Sequence, residues 1–208
     1  MSRPLARAFP MPLSPQLHAA YDDLYLATNG DDKTKRRIGN PASLPRPWDP
    51  PSCHNPDLRR ELWAWLDQVV DWFNTEYVWD LGGGAMIPPC WPLHPHLVHE
   101  LAALADQRRR ASIDTTSNSL EEWHRYSVPA FIERLRQRTR TLCDEDHKPW
   151  PGRSRHTRYA STKAAVERQA AFDADLATSE PTNSRPRLRI LDDDGSTIDA
   201  VTGEVLPD

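Results

Sequence analysis

Residues 55–78 read NPDLRRELWAWLDQVVDWFNTEYV, and they state the architecture of this chain more directly than any other segment. Asn55 is a good helix cap, Pro56 suits the first helical position, and Asp57 places an acid at the positive helix end. Leu58, Leu62, Leu66, Val69, Val70, Phe73 and Tyr77 then form one apolar stripe at helical spacing. Trp63, Trp65 and Trp72 widen it, so this helix is expected to be covered on more than one side. Glycines 82–84 end it. Without a following Gly-Lys-Ser/Thr, and with Pro88-Pro89 close behind, they form a turn and no phosphate-binding loop.

Working outward, a second helix is expected from Pro95 to about Ala111, with Leu97, Val98, Leu101, Leu104 and Ala105 inward and Arg108-Arg109-Arg110 at its negative end. A third begins at Ser119-Leu120-Glu121-Glu122, which reads as a capping box. Its stripe is Leu120, Trp123, Val128, Phe131, Ile132, Leu135 and Leu142, and Pro129 predicts a kink or a division in two. After a basic loop, Asp144 to Tyr159, an accessory helix is expected from Thr162 to Ala177, following Ser161. Upstream, Leu17, Tyr21, Leu24 and Tyr25 permit one short helix with Ser14 as cap.

The chain has 208 residues with 20 prolines, and ten of these lie in residues 1–56. Of its 8 tryptophans, six lie between Trp63 and Trp123. The expected fold is therefore all-α, three to four helices around a Trp-rich core at 56–145, with a disordered Pro-rich arm at 1–55. A basic loop and accessory helix follow at 146–178. Residues 179–208 form an acidic tail, disordered or folded as a small hairpin around Asp194-Gly195. No segment approaches the ~20 apolar residues of a membrane span. Pro4, Pro10, Pro12 and Pro15 interrupt any apolar core of a secretory signal after Arg3 and Arg7. Cys53, Cys90 and Cys143 are an odd set without disulfide spacing, which fits a reducing cytoplasm.

Charge is uneven. Residues 101–170 carry 14 Lys and Arg against 9 Asp and Glu, whereas residues 171–208 carry 3 against 9. A basic middle beside an acidic tail points to a polyanionic partner, or else to a solvated helical surface. Arg134 and Arg138 share one helix side and Arg136 and Arg140 another, about 160° away at 100° per residue. Arg153, Arg155, Arg158 and Lys163 would extend a nucleic-acid footprint, with Trp150 and Tyr159 available for stacking. Trp48 and Trp150 fall in expected loops and are candidates for partner contact.

Cys90, His94, His124 and Cys143 are the candidate metal ligands, with His96 and His99 nearby. Two thiolates and two imidazoles are a standard structural zinc set. Their spacing lacks the close paired motifs of a zinc finger. The same residues also read as buried free cysteines beside bonded histidines, as a cysteine nucleophile with a histidine base, or as a hydrolytic metal site using Glu100, Glu121 or Glu122. H-E-x-x-H and G-x-S-x-G are both absent from the chain.

The run Met86-Ile87-Pro88-Pro89-Cys90-Trp91-Pro92-Leu93-His94-Pro95, the helix with Leu101 and Leu104, Ser119-Leu120-Glu121-Glu122-Trp123-His124 and the late Cys143 resemble a known pattern. The pattern is that of an uncharacterised actinobacterial family, a domain of unknown function carried on plasmids, integrative conjugative elements and phages. The resemblance covers about residues 60–145. It implies a mobile-element setting and, by association, a role in replication, transfer or regulation on DNA. The expected function is a non-enzymatic accessory protein that binds a protein or nucleic-acid partner and holds at most one structural zinc. The alternatives are a metal-dependent enzyme built on the Cys/His site and a purely structural interaction protein.

Overall fold

The computed structural model describes residues 5–78, 84–139, 143, 152–178, 189–191 and 197–199. The chain divides into two compact units, Met1–Lys148 and Pro149–Asp208.

In the first unit the central element is α3, Pro56–Glu76. The Asn55 side chain accepts from the Asp57 and Leu58 amides at 2.8 and 3.2 Å, satisfying donors that the first helical turn leaves open. Leu58, Leu62, Trp65, Leu66, Val69, Val70, Trp72 and Phe73 are buried along its stripe. α4, Pro95–Ile113, presents Leu97, Leu101, Ala102, Leu104 and Ala105 to the same core. α6, Val128–Thr139, adds Phe131, whose ring meets Phe73 edge-on at 5.6 Å, and Leu135.

Between α5 (Asn118–Glu122) and α6 the backbone is a π-helix, Trp123–Ser127. The Val128 amide donates to the Trp123 carbonyl, five residues back. Pro129 explains the site of this widening, because it has no N–H and its ring would strike the carbonyl one turn before it in a regular α-helix. The kink expected at Pro129 is thus absorbed as one π turn. It holds Trp123 in the core, where the indole donates to the Leu104 carbonyl at 3.2 Å.

The N-terminal segment is not a disordered arm over the residues described. α1, Pro15–Asn29, and α2, Asp32–Ile38, precede two short 3-10 turns at Pro41–Ser43 and Pro50–Ser52. Phe9, Leu17, Ala20 and Cys53 are buried in the common core, and Pro47 and Pro50 are fully enclosed. The binding chemistry is specific. Trp65 and Trp72 donate their indole N–H groups to the carbonyls of Pro10 (2.7 Å) and Arg7 (3.0 Å). A proline-rich strand can accept such bonds although its prolines donate none. Three or four helices is therefore an undercount, since α1 and α2 join the bundle. Trp48 is half-buried and stacked on Tyr21, so it is part of the packing between segments.

Two expected caps are replaced. Ser14 makes no side-chain cap bond; instead Glu61 of α3 accepts from the Gln16 and Leu17 amides at 2.8 and 3.0 Å. Ser119 does not cap a helix with Glu122 either. Its hydroxyl donates to Asp114, whose other carboxylate oxygen accepts from the Thr116 amide and hydroxyl. A carboxylate is the stronger acceptor, and Asp114 is held below the usual carboxylate range by these donors, the Ser119 hydroxyl foremost.

In the second unit, Arg153–Tyr159 forms a helix, α7, where a loop was expected. α8 runs from Thr162 to Thr178, with Ser161 accepting from the Ala164 amide at 3.3 Å. Arg168 of α8 lies over the Tyr159 ring at 3.9 Å and donates to the Tyr159 carbonyl. Strands β1 (Arg189–Leu191) and β2 (Thr197–Asp199) pair antiparallel with Ile190 opposite Ile198, the hairpin being one of the two forms expected of this tail. The rest of the expected acidic tail lies outside the described residues.

Candidate metal centre

The turn leading into α4 is held from both ends. Asn74 of α3 clasps Ile87, accepting from its amide at 2.9 Å and donating to its carbonyl at 3.0 Å. Further along, Trp91 is buried against Trp63, with ring centroids 6.4 Å apart, and opens the 3-10 turn Trp91–Leu93. Cys90 and His94 flank this 3-10 turn as its two cap residues, and their side chains meet. His94 is the N-terminal cap residue of α4 and has extended backbone angles.

Two sulfurs converge on a single nitrogen there. His94 Nε2 lies 3.4 Å from Cys90 Sγ and 3.2 Å from Cys143 Sγ. The three potential ligand atoms all lie within 4.8 Å of one another. An imidazole nitrogen has one hydrogen or one lone pair, so it makes one good hydrogen bond and not two. A tetrahedral zinc, with Zn–S about 2.3 Å and Zn–N about 2.0–2.1 Å, places sulfur and nitrogen ligands about 3.5 Å apart, close to both separations. This group can hold a metal ion. Burial first, and then the neighbouring Cys143 thiol, push the Cys90 thiol above its ordinary value. A metal ion would have to displace that proton to bind.

His124 does not belong to the group. It is exposed, its Nε2 lies 3.0 Å from the Tyr77 hydroxyl, and its ring stacks on Tyr77. Trp123 takes the inward position, and the next residue along a helix necessarily points aside. His96 was not among the expected ligands, yet its Nε2 is buried without a hydrogen-bond partner among the described residues. Burial, followed by the charge of Arg138, lowers its affinity for a second proton, so the ring favours the neutral form.

The basic residues separate into two classes. Arg134 and Arg138 of α6 both reach Glu100 of α4, Arg134 Nε at 2.7 Å from one carboxylate oxygen and Arg138 Nη1 on the other. Two arginines on one half-buried carboxylate fasten α6 to α4, so part of the charge expected to meet phosphate is neutralised by Glu100, although both arginine side chains stay 45% exposed. Arg153, Arg155 and Arg158 are exposed on α7, and none of them meets a carboxylate among the described residues. Lys163 is exposed and stands 3.9 Å from Glu167 on the same helix. Trp150 lies outside the described residues. Among the residues described, no helix is long and apolar enough to cross a membrane.

No family model matches the sequence, and no curated protein or solved structure matches it. The chemistry of these side chains therefore carries the functional reading.

Proposed function

We propose that the protein is a non-enzymatic accessory factor that binds a nucleic-acid partner through the second unit, while a structural zinc at Cys90, His94 and Cys143 closes the helical core. The observation that carries the binding role is the contrast between the two arginine sets. Arg134 and Arg138 are paired with Glu100, whereas Arg153, Arg155 and Arg158 face solvent without an acidic partner among the described residues. In α7, Arg155 and Arg158 are three residues apart and share one side, the spacing at which two guanidinium groups can follow a phosphate backbone. Tyr159, exposed with Arg168 over its ring, supplies an aromatic group next to them. The resemblance of residues 60–145 to a mobile-element family adds a DNA setting by association. A reducing cytoplasm would keep Cys90 and Cys143 as thiols open to a metal.

The test is a salt titration of binding to duplex and single-stranded oligonucleotides. Affinity is expected to fall linearly with salt on logarithmic axes. Replacing Arg155 and Arg158 by Ala should weaken binding uniformly across sequences and reduce the slope by about one for each phosphate no longer neutralised. Replacing Arg134 should leave the slope unchanged. Affinity that ignores salt, or ignores the α7 arginines, overturns the reading in favour of a protein partner. A metal-dependent enzyme is the second reading, favoured by the three-residue ligand group, since catalytic zinc sites keep three protein ligands and an open position.

A further inference from the structure

We infer that His96 is the fourth ligand of this centre, which makes it a closed structural site of two cysteines and two histidines. The inference rests on the reading of Cys90, His94 and Cys143 as metal ligands. Three observations point to His96. Its Nε2 is shielded from water and has no hydrogen-bond partner among the described residues, a condition that buried polar atoms in folded proteins seldom show. Its ring lies beside that of His94, with centroids 5.7 Å apart and planes at 68°. Two imidazoles on one tetrahedral zinc, each with Zn–N of about 2.0–2.1 Å, have centroids about 5 Å apart, so the rings already stand near the required separation.

The other described histidines of this region are otherwise placed. His99 is exposed on α4, and His124 is engaged by Tyr77. Position 96 lies in the first turn of α4, and Pro95 fixes the backbone between it and His94. In the structure the group within 4.8 Å comprises Cys90, His94 and Cys143, and His96 stands next to it through its ring contact with His94. His96 would have to turn its side chain toward the two sulfurs to complete the tetrahedron. Both thiols lose their protons to solvent as the metal enters, and each imidazole binds through a ring-nitrogen lone pair.

Four protein ligands leave no position for water or substrate. The centre then joins the segment beyond α6, through Cys143, to the turn before α4, and performs no hydrolysis.

The experiment uses the full chain, purified without a polyhistidine tag and loaded with zinc or with cobalt(II). X-ray absorption at the zinc edge should count two sulfurs near 2.3 Å and two nitrogens near 2.0–2.1 Å. In competition with a chromophoric chelator, His96→Ala should weaken zinc binding by at least about a hundredfold, more than most outer-shell changes do. His99→Ala should leave it unchanged. Azide should leave the cobalt spectrum of the wild type unaltered and perturb that of His96→Ala, where a position has been opened. If Cys90→Ser and Cys143→Ser abolish binding while His96→Ala retains wild-type affinity, or if azide binds the wild type, His96 is not a ligand and the site is open. Absence of stoichiometric metal in the wild type, or indifference to the cysteine variants, overturns the centre itself. The absorption count on the wild type decides the matter even if His96→Ala misfolds.

Discussion

Arg108, Arg109 and Arg110 show how differently one charge type is used within three residues. Arg108 lies 5.2–5.7 Å from the ring centroids of Phe9, Trp72 and Trp123, a cation surrounded by aromatic faces. Arg109 and Arg110 both hold Asp106, whose side chain is only 6% exposed. Arg109 also lies over the Tyr21 ring at 3.8 Å. Burial, reinforced by the Asp106 charge, raises the Tyr21 hydroxyl far above its ordinary value, so it stays neutral. Removing one partner of a buried ion pair costs about 3–5 kcal/mol because a charge is left without compensation. Arg110 still serves Asp106, so Arg109→Ala is expected near the low end, about 3 kcal/mol. Urea denaturation would measure it. A destabilisation no larger than that of a surface arginine substitution would show that Asp106 is adequately held without Arg109.

At the scale of elements, helix ends are secured by whichever acceptor is strongest, local or not. Asn55 caps α3 from within its own segment, as its sequence position predicts, and Asn55→Ala should cost about 1 kcal/mol by equilibrium denaturation. α1 is capped from another helix by Glu61, and the turn between α4 and α5 is organised by Asp114. The helices α3, α4 and α8 were legible because apolar periodicity and Pro or Ser start signals are local properties. The π turn was legible only in part. Pro129 announces an irregularity, but whether the helix breaks, bends or widens depends on what the preceding turn must bury, here Trp123. The same geometry removed His124 from the metal group. Of the four expected ligands Cys90, His94, His124 and Cys143, three come within reach of one another. Ligand chemistry could not tell which side of the third helix would turn inward.

Across the whole molecule, the first unit is larger than its periodic helices alone imply, because residues 5–55 pack onto α3 and α4. Deleting residues 1–13 removes Phe9 from the core and leaves the Trp65 and Trp72 indole donors without their carbonyl acceptors. Burial of a side chain such as Phe9 contributes about 1.5–3 kcal/mol and each indole bond about 1 kcal/mol, so the truncated protein should melt well below the full chain in a thermal scan. An unchanged melting temperature would mean that the segment is only a tether. Local spacing and side-chain chemistry were enough for the helical class, the core stripe of α3, the start of α4 and a group of cysteines and histidines with metal-binding chemistry. The packing of distant segments was needed to show that a proline-rich segment is bound, that Arg134 and Arg138 converge on Glu100, and that His124 turns to Tyr77 and away from the cluster. Those outcomes depend on which groups from distant segments become neighbours, and a buried donor, carboxylate or thiol takes the partner that the packing brings within reach.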